Sequence, residues 1–141
     1  MNERPDATLA SELIGTLHAI VGRLEAALEP QGLSLAKFNV LRMLVAAGEP
    51  LPLGALAERS ACVRSNITQL VDRLESEKLV VRADDPHDRR SIRAELTAEG
   101  RRRHAAGVRA LEAAEHQLFA GLPPKDRESL LHLLRALQSR S

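Results

Sequence analysis

The sequence predicts a mainly α-helical fold carrying one small β-hairpin, and three observations predict it. Apolar residues recur at spacings of three and four along most of the 141-residue chain, the period of a helix with one buried stripe. Hydrophobic residues make up 44% of the chain, yet Phe38 and Phe119 are its only aromatics. The core must therefore be built from Leu, Val, Ile and Ala, and Leu and Ala are strong helix formers. The period turns strand-like in one place only, between Leu79 and Leu96. The length fits a single domain over residues 1–141, large enough to bury a core without disulfide or metal support.

A polar arm, residues 1–6, leads into a first helix from Thr8, with Leu9, Leu13, Leu17, Ile20, Val21, Leu24 and Leu28 on one stripe until Pro30 and Gly32 stop it. Ser34 caps the next helix, whose apolar residues are Leu35, Phe38, Leu41, Met43, Leu44 and Val45. Gly48 ends it, and Pro50 and Pro52 break the chain. A short amphipathic helix follows with Leu53, Leu56 and Ala57 inward, then a tight link from Ser60 to Val63, then a helix carrying Ile67, Leu70, Val71 and Leu74 that gives way at Lys78. Two strands, Leu79–Val81 and Ser91–Leu96, flank a charged, turn-rich stretch over residues 83–90, so a hairpin with a long loop is expected. Thr97 caps a long helix over about residues 98–120, with Val108, Leu111, Ala114, Leu118 and Phe119 on one side. Gly121, Pro123 and Pro124 break it, and a last helix carries Leu130, Leu131, Leu133, Leu134, Ala136 and Leu137. In this order, residues 53–96 form a helix-turn-helix followed by a β wing. That arrangement presents one helix to a DNA major groove with a basic loop beside it.

The net charge of +1 does not announce a nucleic-acid binder, but the placement of charge matters more than its sum. The single cysteine, Cys62, excludes an intramolecular disulfide and fits a reducing, cytoplasmic compartment. No basic start precedes an apolar run, and no stretch of about 18 apolar residues exists, so neither a signal peptide nor a membrane span is expected. There is no Gly-rich phosphate loop, no His-Glu-x-x-His and no nucleophile motif, so neither an enzyme nor a cofactor is expected. The histidines, His18, His87, His104, His116 and His132, lack close ligand spacing, and no metal site is expected.

The segments Leu56-Ala57-Glu58-Arg59, Arg64 to Glu75, Lys78-Leu79-Val80-Val81-Arg82, Asp85-Pro86-His87-Asp88-Arg89-Arg90 and Leu96-Thr97-Ala98-Glu99-Gly100 together resemble the MarR family, the multiple-antibiotic-resistance-type transcriptional regulators. The resemblance covers about residues 33–100, the winged helix-turn-helix, while helices over about 8–29 and 101–138 agree in pattern and length. Two positions depart from it. Lys78 stands where the family usually has Gly, and a left-handed helix end there would cost Lys roughly 1 kcal/mol, so a different ending is expected. Val63 takes the N-cap place where the family often has Ser or Thr, which leaves capping to Ser65 or Asn66, or a later helix start.

The helix from about Arg64 to Glu77 offers Arg64, Ser65, Asn66, Thr68, Gln69 and Arg73 on its polar face. Arg matches guanine, Asn and Gln match adenine, and a Thr methyl matches thymine, while Ser65 and Thr68 also suit phosphates. In the wing, Arg89 and Arg90 suit a narrow minor groove. Asp88 is read as a brace that orients Arg90 through a bidentate bond, and the resemblance implies the same pair. Arg82 and Arg93 are weaker candidates for backbone contact. Arg101, Arg102 and Arg103, at a helix start, are read as a solvated or salt-bridged face.

The first and last helices carry more apolar surface than a small winged domain can cover, so a homodimer on double-stranded DNA is expected, with two reading helices about 34–36 Å apart on a pseudo-palindromic site. The resemblance implies a ligand-responsive repressor with a small lipophilic or phenolic effector between the dimerisation helices and the winged unit. His18, Phe38, Arg42, Met43 and His104 are the candidates for that site. The alternatives are a redox-sensing regulator of the same fold, through Cys62, or a metal-sensing one, with His104 or His116 meeting carboxylates across the dimer, and a winged-helix interaction module that does not bind DNA.

Overall fold

In a computed structural model, the structure describes the backbone of residues 5–60 and 64–139 and the side chains of residues 8–60 and 66–139. Helix α1 runs Pro5–Leu28 and ends in a single 3-10 turn, Glu29–Gln31; α2 is Leu35–Ala47, α3 Leu53–Ser60, α4 Arg64–Ser76, α5 Ala98–Leu118 and α6 Pro124–Gln138. Strands β1 (Leu51–Pro52), β2 (Val80–Asp85) and β3 (Asp88–Leu96) make an antiparallel sheet in the order β1-β3-β2.

Most boundaries follow from local chemistry. The Ser34 hydroxyl accepts the Lys37 N–H at 3.1 Å and starts α2. Gly48 closes α2 in left-handed backbone, φ +69°, with its N–H on the Leu44 carbonyl at 3.1 Å. Thr97 does more than cap. Its Oγ1 accepts the Gly100 N–H at 2.9 Å and donates toward the carbonyls of Lys78 (2.8 Å) and Leu79 (2.9 Å), tying the start of α5 to the end of α4.

Three expectations are corrected. Lys78 does adopt the left-handed conformation, φ +64°. Its N–H bonds the Glu75 carbonyl and the Leu79 N–H bonds the Leu74 carbonyl, each at 2.9 Å. This is a Schellman ending, with Leu74 and Leu79, the pair such an ending usually brings together, both fully buried, so burial of that pair overrides the preference for Gly. Next, the region of Pro50 and Pro52 does more than break the chain: Leu51 pairs with Ala94 and Pro52 with Arg93, which turns the hairpin into three strands. A Pro is tolerated there because β1 is an edge strand. Finally, the hairpin loop is short. Asp85 pairs with Asp88 around the two-residue turn Pro86-His87, and the side chain of Asp85 accepts the His87 N–H at 2.9 Å. The irregularity lies in β3, where one step of β2, Asp84 to Asp85, faces the span from Ile92 to Asp88. Arg89, Arg90 and Ser91 thus bulge out of the ladder.

The core sits inside the winged unit, and Leu28 reaches it from the end of α1. Leu28, Leu41, Leu56, Ile67, Val71, Leu74, Leu79 and Val80 are fully buried, with Phe38, Met43, Leu53 and Ala94 around them. Gly100 fits because a Cβ there would lie 2.1 Å from the Leu79 carbonyl oxygen, so close contact between α5 and the chain after α4 demands the absent side chain. The outer helices are different. Leu9, Leu13, Ile14 and Leu17 of α1 and Leu131, Leu133, Leu134 and Leu137 of α6 are exposed.

Candidate nucleic-acid interface

Helix α4 buries Ile67, Val71 and Leu74 completely, the spacing of one helical face. Asn66, Gln69 and Arg73 are consequently exposed and Thr68 is half-buried on a flank. The helix starts at Arg64, so the later start is not seen, and Asn66 lies inside the first turn rather than at the cap. Val63 and Cys62, with the expectations that rest on them, lie outside the described residues, as do the side chains of Arg64 and Ser65.

Beside α4 stands the wing. Arg89 and Arg90 are exposed on the bulge, and among the described residues neither meets a carboxylate. The Asp88 brace is corrected in kind: its Oδ1 accepts the backbone N–H of Arg90 at 3.0 Å, and no guanidinium bond forms between the two. Asp88 therefore shapes the chain that carries Arg90, because its short side chain reaches the main chain two residues on.

Arg82, expected as a weaker backbone contact, is otherwise engaged. Its guanidinium pairs with Asp72 and, at 3.0 Å, with Glu75. The hydrogen bond to Asp72 is the main reason its pKa lies above the usual guanidinium value. The sequence signal for this contact is the spacing of three between two carboxylates on α4, facing an Arg just after the turn. Arg93 is half-buried between Pro52 and Ala83, its Nε enclosed without a hydrogen-bond partner among the described residues. The run Arg101–Arg103 is partly salt-bridged, as expected. Arg102 bonds Glu99 at 2.6 Å and Arg103 bonds it at 3.2 Å, and these contacts, Arg102 first, hold Glu99 below the usual carboxylate range. Arg103 also reaches the Gln31 carbonyl at 2.9 Å, joining α5 to the turn after α1.

A second feature lies between α2 and α5, an open cavity of about 470 Å³ lined by Leu35, Ala36, Phe38, Asn39, Arg42 and Leu111. His104 stacks on Phe38 with ring centres 5.3 Å apart and planes 9° apart. Burial first, and then the Arg42 charge, lowers the His104 pKa below 6.5. The cavity thus gathers Phe38 and Arg42 with His104 behind the ring. Met43 faces the core and His18 is exposed on α1, so neither joins it. Leu35, Asn39 and Leu111 also line it, and nothing local in the sequence marks them for this site. Among the described residues no group of three or more His, Cys, Asp or Glu is placed to hold a metal ion, and no helix is long and apolar enough to cross a membrane.

Residues 31–91 match the model of the MarR family. An uncharacterized HTH-type transcriptional regulator of Bacillus subtilis, YkoM, is 34% identical over 106 residues, covering 74% of this chain and 67% of that relative. The chain belongs to the MarR family. Among solved structures, a MarR-family regulator from Rhodococcus sp. RHA1 superposes with a TM-score of 0.83 at 26% identity over 99% of both chains. CouR from Rhodococcus jostii RHA1, solved bound to p-coumaroyl-CoA, is 30% identical over 95% of this chain and 92% of its own, with a TM-score of 0.73. This MarR-family protein is a DNA-binding transcriptional regulator with a winged helix-turn-helix, and its relatives are regulators rather than enzymes.

Proposed function

We propose that the protein is a ligand-responsive repressor that binds a pseudo-palindromic operator as a homodimer. The observation that carries the DNA reading is the pairing pattern of the cations. Arg89 and Arg90 lie exposed on the wing with no carboxylate partner among the described residues, beside the exposed Asn66, Gln69 and Arg73 of α4, while Arg82 is neutralised. Arg64, Ser65, Asn66, Thr68, Gln69 and Arg73 read or flank the major groove, and Arg89 and Arg90, shaped by Asp88, enter the neighbouring minor groove. The exposed Leu stripes of α1 and α6 support the dimer, since a partner copy offers the same apolar faces in return. A dimer seated across two half-sites excludes other proteins from that DNA, which favours repression.

The cavity at Phe38 and Arg42 supports an effector with an apolar body and a negative charge, and the p-coumaroyl-CoA held by CouR is such a molecule. The test is a gel-shift titration of a duplex selected by the protein from a random library. Arg90→Ala is expected to lose about 1–3 kcal/mol of binding while staying folded. Unchanged affinity would reject the wing's role. Placed ahead of a reporter gene, the selected site is expected to lower expression when the protein is present, and raised expression would reject repression.

A further inference from the structure

We propose that Arg82 is a positioning residue of the DNA interface: through Asp72 and Glu75 it sets the angle between α4 and the wing tip. The inference rests on the DNA reading above and adds a residue that does not touch DNA. Its guanidinium binds both carboxylates, at Asp72 Oδ1 and, 3.0 Å away, at Glu75 Oε1. The second oxygen of Glu75 accepts the Arg82 backbone N–H at 3.1 Å. Strand β2 is an edge of the sheet, so α4 closes that edge with a carboxylate where a further strand would otherwise pair. The helix and the strand are thus joined by bonds with defined directions.

The tip needs such a joint. Along the hairpin the buried apolar side chains are Val80 and Ala94, and no side chain between them is buried. Residues 81–93 therefore have no anchor in the core, and Arg89 and Arg90 inherit their aim from the hairpin's base. The apolar face of α4, Ile67, Val71 and Leu74, holds the helix in place, but dispersion contacts have little directional preference. A tilt at Arg82 would carry the wing tip away from the groove while leaving that face packed.

This joint makes an unusual prediction. Asp72 and Glu75 are negative charges on the helix that approaches phosphates, so by charge alone their removal tightens DNA binding. As parts of a joint, their removal weakens it. The probe is the same labelled duplex, read by fluorescence anisotropy with wild type, Arg90→Ala, Asp72→Ala/Glu75→Ala, and the combination of all three changes. Ala suits a helix, and thermal melting of each variant checks the fold. The expected result is about ten-fold weaker binding for the Asp72/Glu75 variant, with a smaller further loss when Arg90→Ala is already present, because the Arg90 contact that the joint aims is then already gone. Tighter binding, or a loss that adds in full to that of Arg90→Ala, would overturn the joint while leaving the DNA reading intact. Failure of Arg90→Ala to weaken binding would instead undo the DNA reading. If the double variant melts early, Asp72→Ala alone, which leaves the two Glu75 bonds in place, is expected to bind more weakly than wild type, and tighter binding by it would equally overturn the proposal.

Discussion

At the scale of single residues, Lys78 shows how tertiary contact overrules a local preference. Its φ of +64° suits Gly, yet the Schellman bonds and the burial of Leu74 and Leu79 keep the chain in that shape. Lys78→Gly is therefore expected to stabilise the protein by up to about 1 kcal/mol, read as a higher urea midpoint at unchanged m-value. His104 provides a pH test. Its folded pKa lies below 6.5, from burial and then the Arg42 charge, while the unfolded chain keeps the ordinary value. Above about pH 6.5 both states are neutral and the stabilising effect is fully present. As pH falls, the unfolded state takes up its proton first, so stability declines and levels off once the folded imidazole is also protonated. His104→Gln is expected to remove that part of the slope in denaturation curves taken between pH 5 and 7, and an unaltered slope would show that His104 does not contribute.

At the scale of elements, the contrast is between α4, whose apolar face is fully buried, and α1 and α6, whose stripes face outward. Leu9 and Leu137 are 62% and 60% exposed, the apolar surface on which the proposed dimer rests. Leu134→Asp, on the α6 stripe, is expected to yield monomers by light scattering and to lower DNA affinity sharply, because one reading helix cannot span two half-sites. A dimer that persists at low protein concentration would count against that interface. The element least legible in the sequence was the wing. Asp85 and Asp88 bend the chain through side-chain bonds to His87 and Arg90, and the resulting bulge places cations where an ordinary loop was expected.

Across the whole molecule, a net charge of +1 and DNA binding are compatible because acid and base are sorted in space. Asp72 and Glu75 are matched by Arg82, and Glu99 by Arg102 and Arg103, while Arg89 and Arg90 at the wing meet no carboxylate among the described residues. Binding to duplex DNA should weaken steeply with salt. In a plot of log affinity against log salt, each arginine removed from a phosphate contact flattens the slope by roughly 0.9. Arg89→Ala is expected to flatten it by about this amount for each half-site. An unchanged slope would place Arg89 away from the backbone.

The sequence by itself determined the order of the helices, the buried faces of α3 and α4, the caps at Ser34 and Thr97 and the position of the hairpin. Each of these is written in residues within a turn or two of one another, where period, cap and breaker act. Only the tertiary structure decided which of several chemically identical arginines are free. Arg82 and Arg90 look alike along the chain, and what separates them is that α4 packs against the edge of β2, so that two carboxylates reach Arg82 and, among the described residues, none reaches Arg90. The same holds for the third strand at Leu51 and for the cavity at Phe38, Arg42 and Leu111. Contacts between distant segments are selected by how the faces pack, and no local pattern records that choice.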